Sequence, residues 1–504
     1  MVAKVKTFSF QGIEVAPVDV EVKISSGMPS FTIVGLPDKA VGESKERVRA
    51  AISSIGLAWP YQKIIVNLAP ADLQKEGSHF DLSIALAIMI EIGVLSQKEV
   101  EGFYVLGELS LDGTINAVNG IISASIGANQ YGFGIICPKA NGKEAVWAGN
   151  LPIIAPDNLI SLINHLKGEQ ILARPETSKI KSYTTYPDLI DVKGQEIPKR
   201  ALEIAGAGGH NILLIGPPGT GKSMLASRIP GILPEMNLEE ILEVNMIHSI
   251  SGKIINGELK TNRPYVEVHH SCSMPAMVGG GAKAKPGEVS LAHKGVLFLD
   301  ELAEFPRQVL DSLRQPLETG NIAISRVNSH ITYPADFQLI GAMNPCRCGY
   351  LGEASKECKK APNCGEEYKN KISGPLLDRF DIIVNVGTID LFAIKKMSAT
   401  ENSQTVKNRV LETREIQYER YKDEELMQNL SKINSKINGQ IIEKYCDLSE
   451  ESEKILQNAI QQNKSSMRSV TRILRVARTI ADMDKCEKIN ENHLYEAIGY
   501  RKGL

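Results

Sequence analysis

The sequence has almost no surplus charge of either sign: its 504 residues carry 57 Lys and Arg against 59 Asp and Glu, a formal net charge of −2. No overall basic field announces a nucleic-acid or membrane binder, so any polyanion must be met by local patches. Long apolar runs are missing too. The most apolar stretch, Leu82 to Leu95, contains Ser83 and Glu91 and is shorter than the ~20 apolar residues that span a bilayer. The N-terminus, Met1-Val-Ala-Lys-Val-Lys, lacks the apolar core and small-residue cleavage site of a signal peptide. Cysteine is sparse, eight in all, and four crowd into residues 346–364, which is not a secreted disulfide framework. A reducing cytoplasm and no membrane partner are expected. Low-complexity tracts and repeat arrays are absent.

What is present is ordinary globular composition, 43% hydrophobic and 23% charged. A single core rarely grows past ~250–300 residues, so a chain of this length should divide into several domains. Residues 1–168 alternate β-branched runs such as Lys63-Ile-Ile-Val-Asn-Leu with helical patterns such as Glu43 to Ile55, the mark of an α/β domain. Residues 169–190 are polar, with Pro175 and Pro187, and read as a linker. Strand, loop and helix then alternate through residues 191–395. Residues 396–504 are all helical in pattern; in Met467 to Met483 the apolar Val470, Ile473, Leu474, Ala477 and Ile480 recur every three or four residues.

The central region carries the chemistry. After the apolar run Asn211 to Ile215 comes Gly216-Pro217-Pro218-Gly219-Thr220-Gly221-Lys222-Ser223. Glycines let such a loop turn successive backbone N–H groups onto phosphate oxygens. Lys222 would reach the β- and γ-phosphates of ATP and Ser223 would ligate Mg²⁺. Downstream, Gly295-Val-Leu-Phe-Leu-Asp300-Glu301 delivers two carboxylates from a buried strand. Asp300 suits the Mg²⁺ shell, and Glu301 the orientation of an attacking water. Another apolar strand ends in Asn344, whose amide suits the γ-phosphate or the water.

Two arginine sets admit two readings each. Arg379, in Gly374-Pro-Leu-Leu-Asp-Arg-Phe-Asp381, is either a transition-state arginine worth ~10³–10⁵ in rate or half of a surface ion pair. Arg468, Arg472 and Arg475 share a helix face, either solvated or closing over the nucleotide, with Arg468 the choice for that role. Cys346, Cys348, Cys358 and Cys364 lie in a segment too poor in apolar residues to bury a core. They are read either as a closed structural zinc site or as four thiols in a surface loop. His269 and His270 admit readings as ligands or pore residues, and nothing in the pattern decides between them.

The order of these parts resembles the ComM/YifB family of magnesium-chelatase-like AAA+ ATPases. The likeness runs through Gly216-Pro-Pro-Gly-Thr-Gly-Lys-Ser, His269-His-Ser, Pro286-Gly-Glu-Val-Ser-Leu-Ala-His-Lys-Gly, Ala342-Met-Asn-Pro-Cys-Arg-Cys-Gly, Ile372-Ser-Gly-Pro-Leu-Leu-Asp-Arg-Phe-Asp and Val476-Ala-Arg-Thr-Ile-Ala-Asp. The resemblance implies a Lon-protease-like α/β N-terminal domain, an AAA+ P-loop α/β core with a parallel sheet, and an all-α C-terminal lid. It implies homo-hexameric rings, Arg379 as a finger offered to the neighbouring subunit, Arg468 as the lid arginine, and a motor driving branch migration of incoming DNA. An insert within Cys272 to Gly287, with Lys283 and Lys285, and a hairpin from about Ile324 to Tyr333, with Arg326 and His330, would either line the pore and grip phosphates or stand as solvated surface loops. Gly107 to Gly120 looks like the proteolytic domain of Lon, but Phe80 and Asp81 fall about where the serine and glycine belong. Ser78 and Ser83 only flank that spot, and no lysine lies near Ile121. The domain is therefore expected to be a non-proteolytic scaffold.

Overall fold

The computed structural model describes residues 2–176, 186–254, 257–281, 284–326, 329–351, 361–388, 401–428, 430–463 and 467–501. Its first sheet is built on the long antiparallel pair β1 (Ala3–Gln11) and β2 (Glu14–Ser25). β3 (Ser30–Val34), β4 (Lys63–Ala69) and β5 (Phe103–Val105) join it; β6 (Glu108–Leu109) and β7 (Ile115–Asn116) form a small separate hairpin; and β8 (Gly134–Ile136) and β9 (Ile153–Ile154) complete it, in the order β3-β4-β2-β1-β5-β8-β9. Alternate residues of β2 and β4, among them Val18, Val20, Val22, Ile64, Val66 and Leu68, are buried. The helix Asp81–Glu91 packs among them; it is apolar all round, which is why it is buried from Asp81 to Met89. Its one buried charge, Asp81, is held by Arg47 at 2.6 Å.

The second sheet is wholly parallel. Its strands β10 (Ile212–Ile215), β11 (Tyr265–Val268), β14 (Val296–Leu299), β17 (Gln338–Met343) and β18 (Ile382–Asn385) lie in the order β11-β14-β17-β10-β18. Strands covered on both faces read as continuous apolar runs; Val296 to Leu299 are fully buried. Two excursions leave this sheet. One contains the short pair β12 (Gly279–Gly280) and β13 (Lys285–Pro286), the other the hairpin β15 (Asn321–Arg326) and β16 (Ser329–Pro334).

The C-terminal helices Ser403–Tyr421, Gln440–Tyr445, Glu450–Asn463, Met467–Met483 and Glu491–Gly499 share one apolar cluster with the parallel sheet. Ile473, Val476, Ala477 and Ile480 pack into it with Ile212, Leu214, Ile340 and Ile382. Polar ties reinforce the junction: Arg409 Nε–H donates to Glu203 at 2.5 Å and Arg414 Nε–H to the Gly206 carbonyl at 3.0 Å. Asp336 meets Lys436 at 2.7 Å and Lys294 at 3.3 Å.

Among the described residues the N-terminal domain meets the core around Glu144 and at the β1–β2 turn. The Gly120 N–H donates to Ser249 Oγ at 3.1 Å, and that hydroxyl donates to the buried Glu144 carboxylate. Ile13, at the β1–β2 turn, packs into the apolar cluster that holds Tyr333, Ile324 and Ile331 of the hairpin. Between these contacts lies a cavity of about 810 Å³. Among the described residues no helix is long and apolar enough to cross a membrane.

In the N-terminal domain Phe80 and Asp81 are buried in the core. Ser78 donates to the Glu108 carboxylate and Ser83 to the Phe80 carbonyl at 2.8 Å. The buried Lys75 ammonium donates to the Pro70 carbonyl.

Candidate nucleotide site

The loop from Gly216 to Ser223 leaves the C-terminal end of β10, which lies between β17 and β18, the place where open α/β sheets bind ligands. Gly216 passes so close to the backbone that follows β18 that an added Cβ would collide with the Val386 carbonyl. Gly219 and Gly221 turn with φ of 78° and 89°, a region open to glycine at little cost. Pro217 and Pro218 lead into the turn, and Thr220 closes it with a hydrogen bond from its hydroxyl to the Pro217 carbonyl at 2.9 Å. The helix Lys222–Ala226 follows directly.

Lys222 is buried inside this loop. Its ammonium donates to the carbonyls of Gly216 at 2.7 Å and Pro217 at 2.8 Å, and to Asn344 Oδ1 at 3.2 Å. Burial lowers its pKa, against the opposing pull of Asp300 and Glu301. Asn344 arrives there because β17 runs parallel to β10 with Met343 opposite Ile215, so the next residue steps out beside the loop. Ser223 Oγ donates to Asp300 Oδ2 at 2.7 Å. A hydroxyl and a carboxylate at that separation fit adjacent positions around Mg²⁺, which takes oxygen ligands at ~2.0–2.1 Å. Glu301 follows in the left-handed region, φ 51°, with its side chain 54% exposed. That carboxylate lies 3.2 Å from His270 Nδ1. Lys222, Ser223, Asp300, Glu301 and Asn344 therefore meet at one end of the sheet.

The arginines do not join them. Arg379 lies just before β18, at the other end of the strands, where its carbonyl accepts from Asn211 and its Nη2 pairs with Glu318 at 3.0 Å. Arg472 and Arg475 are turned inward, Arg472 reaching Asp381 at 3.5 Å. With Arg379 and Asp381 they line a cavity of about 140 Å³. Burial lowers the pKa of Arg472, and the charges of Arg379 and Arg468 lower it further, against Asp381. Arg468 itself is exposed at the start of its helix.

The zinc expectation is not supported. Among the described residues no three His, Cys, Asp or Glu side chains are gathered to hold a metal. Cys346 and Cys348 bring their sulfurs to 3.0 Å, closer than the ~3.8 Å edge of a tetrahedron with ~2.3 Å zinc–sulfur bonds. Cys364 is buried on the helix Asn363–Lys369, and Cys358 lies outside the described residues. Burial raises the Cys346 thiol, but hydrogen bonds from Cys348 and the backbone of Leu351, Gly349 and Tyr350 outweigh it and lower its pKa. Lys283 and the side chains of Arg326 and His330 also lie outside the described residues.

Sequence reasoning missed Gln195. Its backbone is left-handed, φ 60°, and its amide donates to the Gly387 carbonyl at 2.7 Å and the Thr220 carbonyl at 3.4 Å, bracing the loop. The one local signal was a Gly194-Gln195 pair ahead of a helix. The His270–Glu301 contact was missed as well.

Comparison with known proteins covers nearly the whole chain. Residues 20–141 match the family described as subunit ChlI of Mg-chelatase, residues 188–393 that described as magnesium chelatase, subunit ChlI, and residues 400–501 its C-terminal part. The chain is 43% identical to the protein YifB of Salmonella typhimurium, across 99% of this chain and 97% of that one. It is 42% identical to competence protein ComM of Haemophilus influenzae, across 97% and 95%. Similarity to the magnesium-chelatase 38 kDa subunit of Rhodobacter capsulatus is narrower, 28% across 34% of this chain and 54% of that subunit.

Proposed function

The chain belongs to the ComM/YifB family of magnesium-chelatase-like AAA+ ATPases, and from that premise we propose that it is an ATP-driven, DNA-handling motor working as a homo-hexamer in the cytoplasm. The meeting of Lys222, Ser223, Asp300, Glu301 and Asn344 beyond the parallel strands carries this reading. The backbone of Gly216 to Gly221 cradles the phosphates, and Lys222 exchanges loop carbonyls for β- and γ-phosphate oxygens. Ser223 and Asp300 are the residues that would hold Mg²⁺, which supplies charge neutralisation at the phosphates. Glu301 orients the attacking water and Asn344 positions it or the γ-phosphate. Arg379, once released from Glu318, would act on the nucleotide of a neighbouring copy, and Arg468 would close over the nucleotide as the lid arginine.

Translocation on DNA is supported by the relative named for competence and by the two excursions from the sheet, where Lys285 is exposed. A Lys-bearing loop of this kind holds phosphates without reading bases. A second reading, the remodelling of a protein partner, is favoured by the likeness to a magnesium-chelatase subunit. Steady-state ATP hydrolysis with single-stranded, duplex and four-way branched DNA, across a salt series, separates the two. Stimulation that is greatest on branched DNA and fades with salt is the expected result. Indifference to every DNA would move the assignment to a protein partner and leave the nucleotide site standing.

A further inference from the structure

Arg379, Phe380 and Asp381 lead into β18, which lies at the edge of the parallel sheet, and each is held by a side chain from elsewhere in the chain. The Arg379 carbonyl accepts from Nδ2 of Asn211, just before β10, at 2.9 Å. The Asp381 carboxylate meets Arg472, of the helix Met467–Met483, at 3.5 Å. The Phe380 carbonyl between them accepts from Arg501 Nη1 at 2.8 Å. Arg501 stands two residues beyond the helix Glu491–Gly499, and Tyr500 seats it against the sheet. Ile382 turns its N–H toward the Asn211 carbonyl at 3.1 Å, so the next N–H, that of Ile383, points off the sheet edge. There the Tyr500 carbonyl accepts it at 2.9 Å.

As a fastening Arg501 is a costly choice. It is buried, and burial and the charge of Arg472 lower its pKa, while Asp381 and Asp378 oppose them through their charge alone. A buried cation without a hydrogen-bonded carboxylate is destabilising, and apolar packing would serve to dock the helix. What the guanidinium adds is a charge-assisted bond to one backbone carbonyl, the one next to Arg379. The helices that carry Arg472 and Arg501 pack together, with Leu494 and Ala497 in one apolar cluster with Ile473, Val476 and Ala477. The approach to β18 is thus gripped by the C-terminal helices through Arg472 and Arg501, and by the sheet through Asn211.

We propose that Arg501 is a positioning residue for Arg379: it fixes the carbonyl beside the finger, so that the C-terminal helices of one subunit set the rate of hydrolysis in its neighbour. The proposal rests on the reading of Arg379 as a finger acting on a neighbouring copy's nucleotide. The test is steady-state hydrolysis of ATP with Mg²⁺ by the full chain, for Arg501→Met and Arg501→Lys. Arg501→Met is also mixed, after subunit exchange, with an equal amount of Lys222→Ala or of Arg379→Ala. Arg501→Met keeps an apolar stem and loses the donor. It should lower kcat roughly 10- to 100-fold, the scale of a displaced catalytic group, with KM for ATP unchanged. Arg501→Lys, which keeps a charged donor, should recover most of the rate. With Lys222→Ala, at ATP that just saturates the wild type, Arg501→Met should exceed the mean of the two components, because its intact phosphate loops then meet intact fingers in a head-to-tail ring. With Arg379→Ala it should show no gain, since both defects lie on the same side of the interface. A merely structural role would not sort the mixtures in this way. An unchanged kcat, a raised KM or a gain with Arg379→Ala overturns the proposal. If Arg501→Met does not fold, Arg501→Gln, a shorter neutral donor, is judged by the same outcomes. No gain between Arg379→Ala and Lys222→Ala overturns the finger reading and the proposal with it. A gain there but none for Arg501→Met with Lys222→Ala overturns the proposal alone.

Discussion

At the scale of single residues the proposed roles divide binding from turnover. Lys222 is the one cation buried in the phosphate loop, and hydrogen bonds to charged groups contribute ~1.5–3 kcal/mol each. Lys222→Ala should weaken ATP binding by roughly 10- to 150-fold, measured by titration with a fluorescent nucleotide. Glu301→Gln keeps the shape and loses the basic oxygen, so it should bind ATP normally and turn over ~10²–10⁴-fold more slowly. A second prediction concerns acid. Burial lowers the pKa of both His79 and His248 to about 4, against ~6.5 in an unfolded chain. The unfolded state therefore takes up protons first, and stability should decline as pH falls from about 6.5 toward 4. Asp336 behaves differently: burial favours its neutral form, but Lys436 and Lys294 overcome that and hold the carboxyl well below its usual range. Its contribution is present above the unfolded value and is lost as pH falls below ~3.8. Urea unfolding against pH should show a gradual loss and then a steeper one as this tie of the C-terminal helices to the sheet fails. A flat profile from pH 7 to 4 would contradict the histidine assignment.

At the scale of elements, legibility in the sequence follows the reach of each interaction. The phosphate loop and the Asp300-Glu301 pair were readable because strand, turn and helix follow one another in the chain. Asn344 was readable only from the order of strands, since β10 and β17 must lie side by side for it to reach Lys222. The His270–Glu301 contact depends on the register of β11 against β14, and a one-residue slip would send either side chain to the opposite face. No local pattern encodes that register. The arginine stripe shows the converse: its spacing was evident, but whether it faced solvent or protein was decided by the neighbouring Asp381. The cysteine segment suggested a metal from composition alone, and the 3.0 Å sulfur contact answers to geometry that composition does not carry. The insert has its own prediction. If Lys285 neutralises a phosphate, Lys285→Ala should flatten the log–log salt dependence of DNA binding by about one unit per contact, whatever the base sequence. Fluorescence anisotropy across a salt series reads that slope, and an unchanged slope would remove Lys285 from the contact surface.

At the scale of the whole molecule, the proposed assembly turns on Arg379. β10 and β18 are parallel neighbours, with Arg379 before the start of one and Lys222 beyond the end of the other. Four residues at ~3.3 Å each separate those ends by ~13 Å before either loop is counted, more than an arginine side chain can bridge. In one copy of the chain, then, Arg379 has no route to its own phosphates; a role for it at a nucleotide requires the head-to-tail ring proposed above and release from Glu318. Arg379→Ala should bind ATP and hydrolyse it slowly, while Lys222→Ala should stay largely empty at ATP concentrations that just saturate the wild type. Mixed in equal amounts, the two variants rebuild interfaces in which an intact Lys222 faces an intact Arg379. Random assembly makes roughly one interface in four of this kind in a head-to-tail ring, so the mixture should recover up to about a quarter of the wild-type rate. Hydrolysis assayed after co-refolding or subunit exchange measures it. A mixture no faster than the mean of its two components would mean that Arg379 acts within its own subunit or not at all, and the ring geometry would lose its catalytic reason.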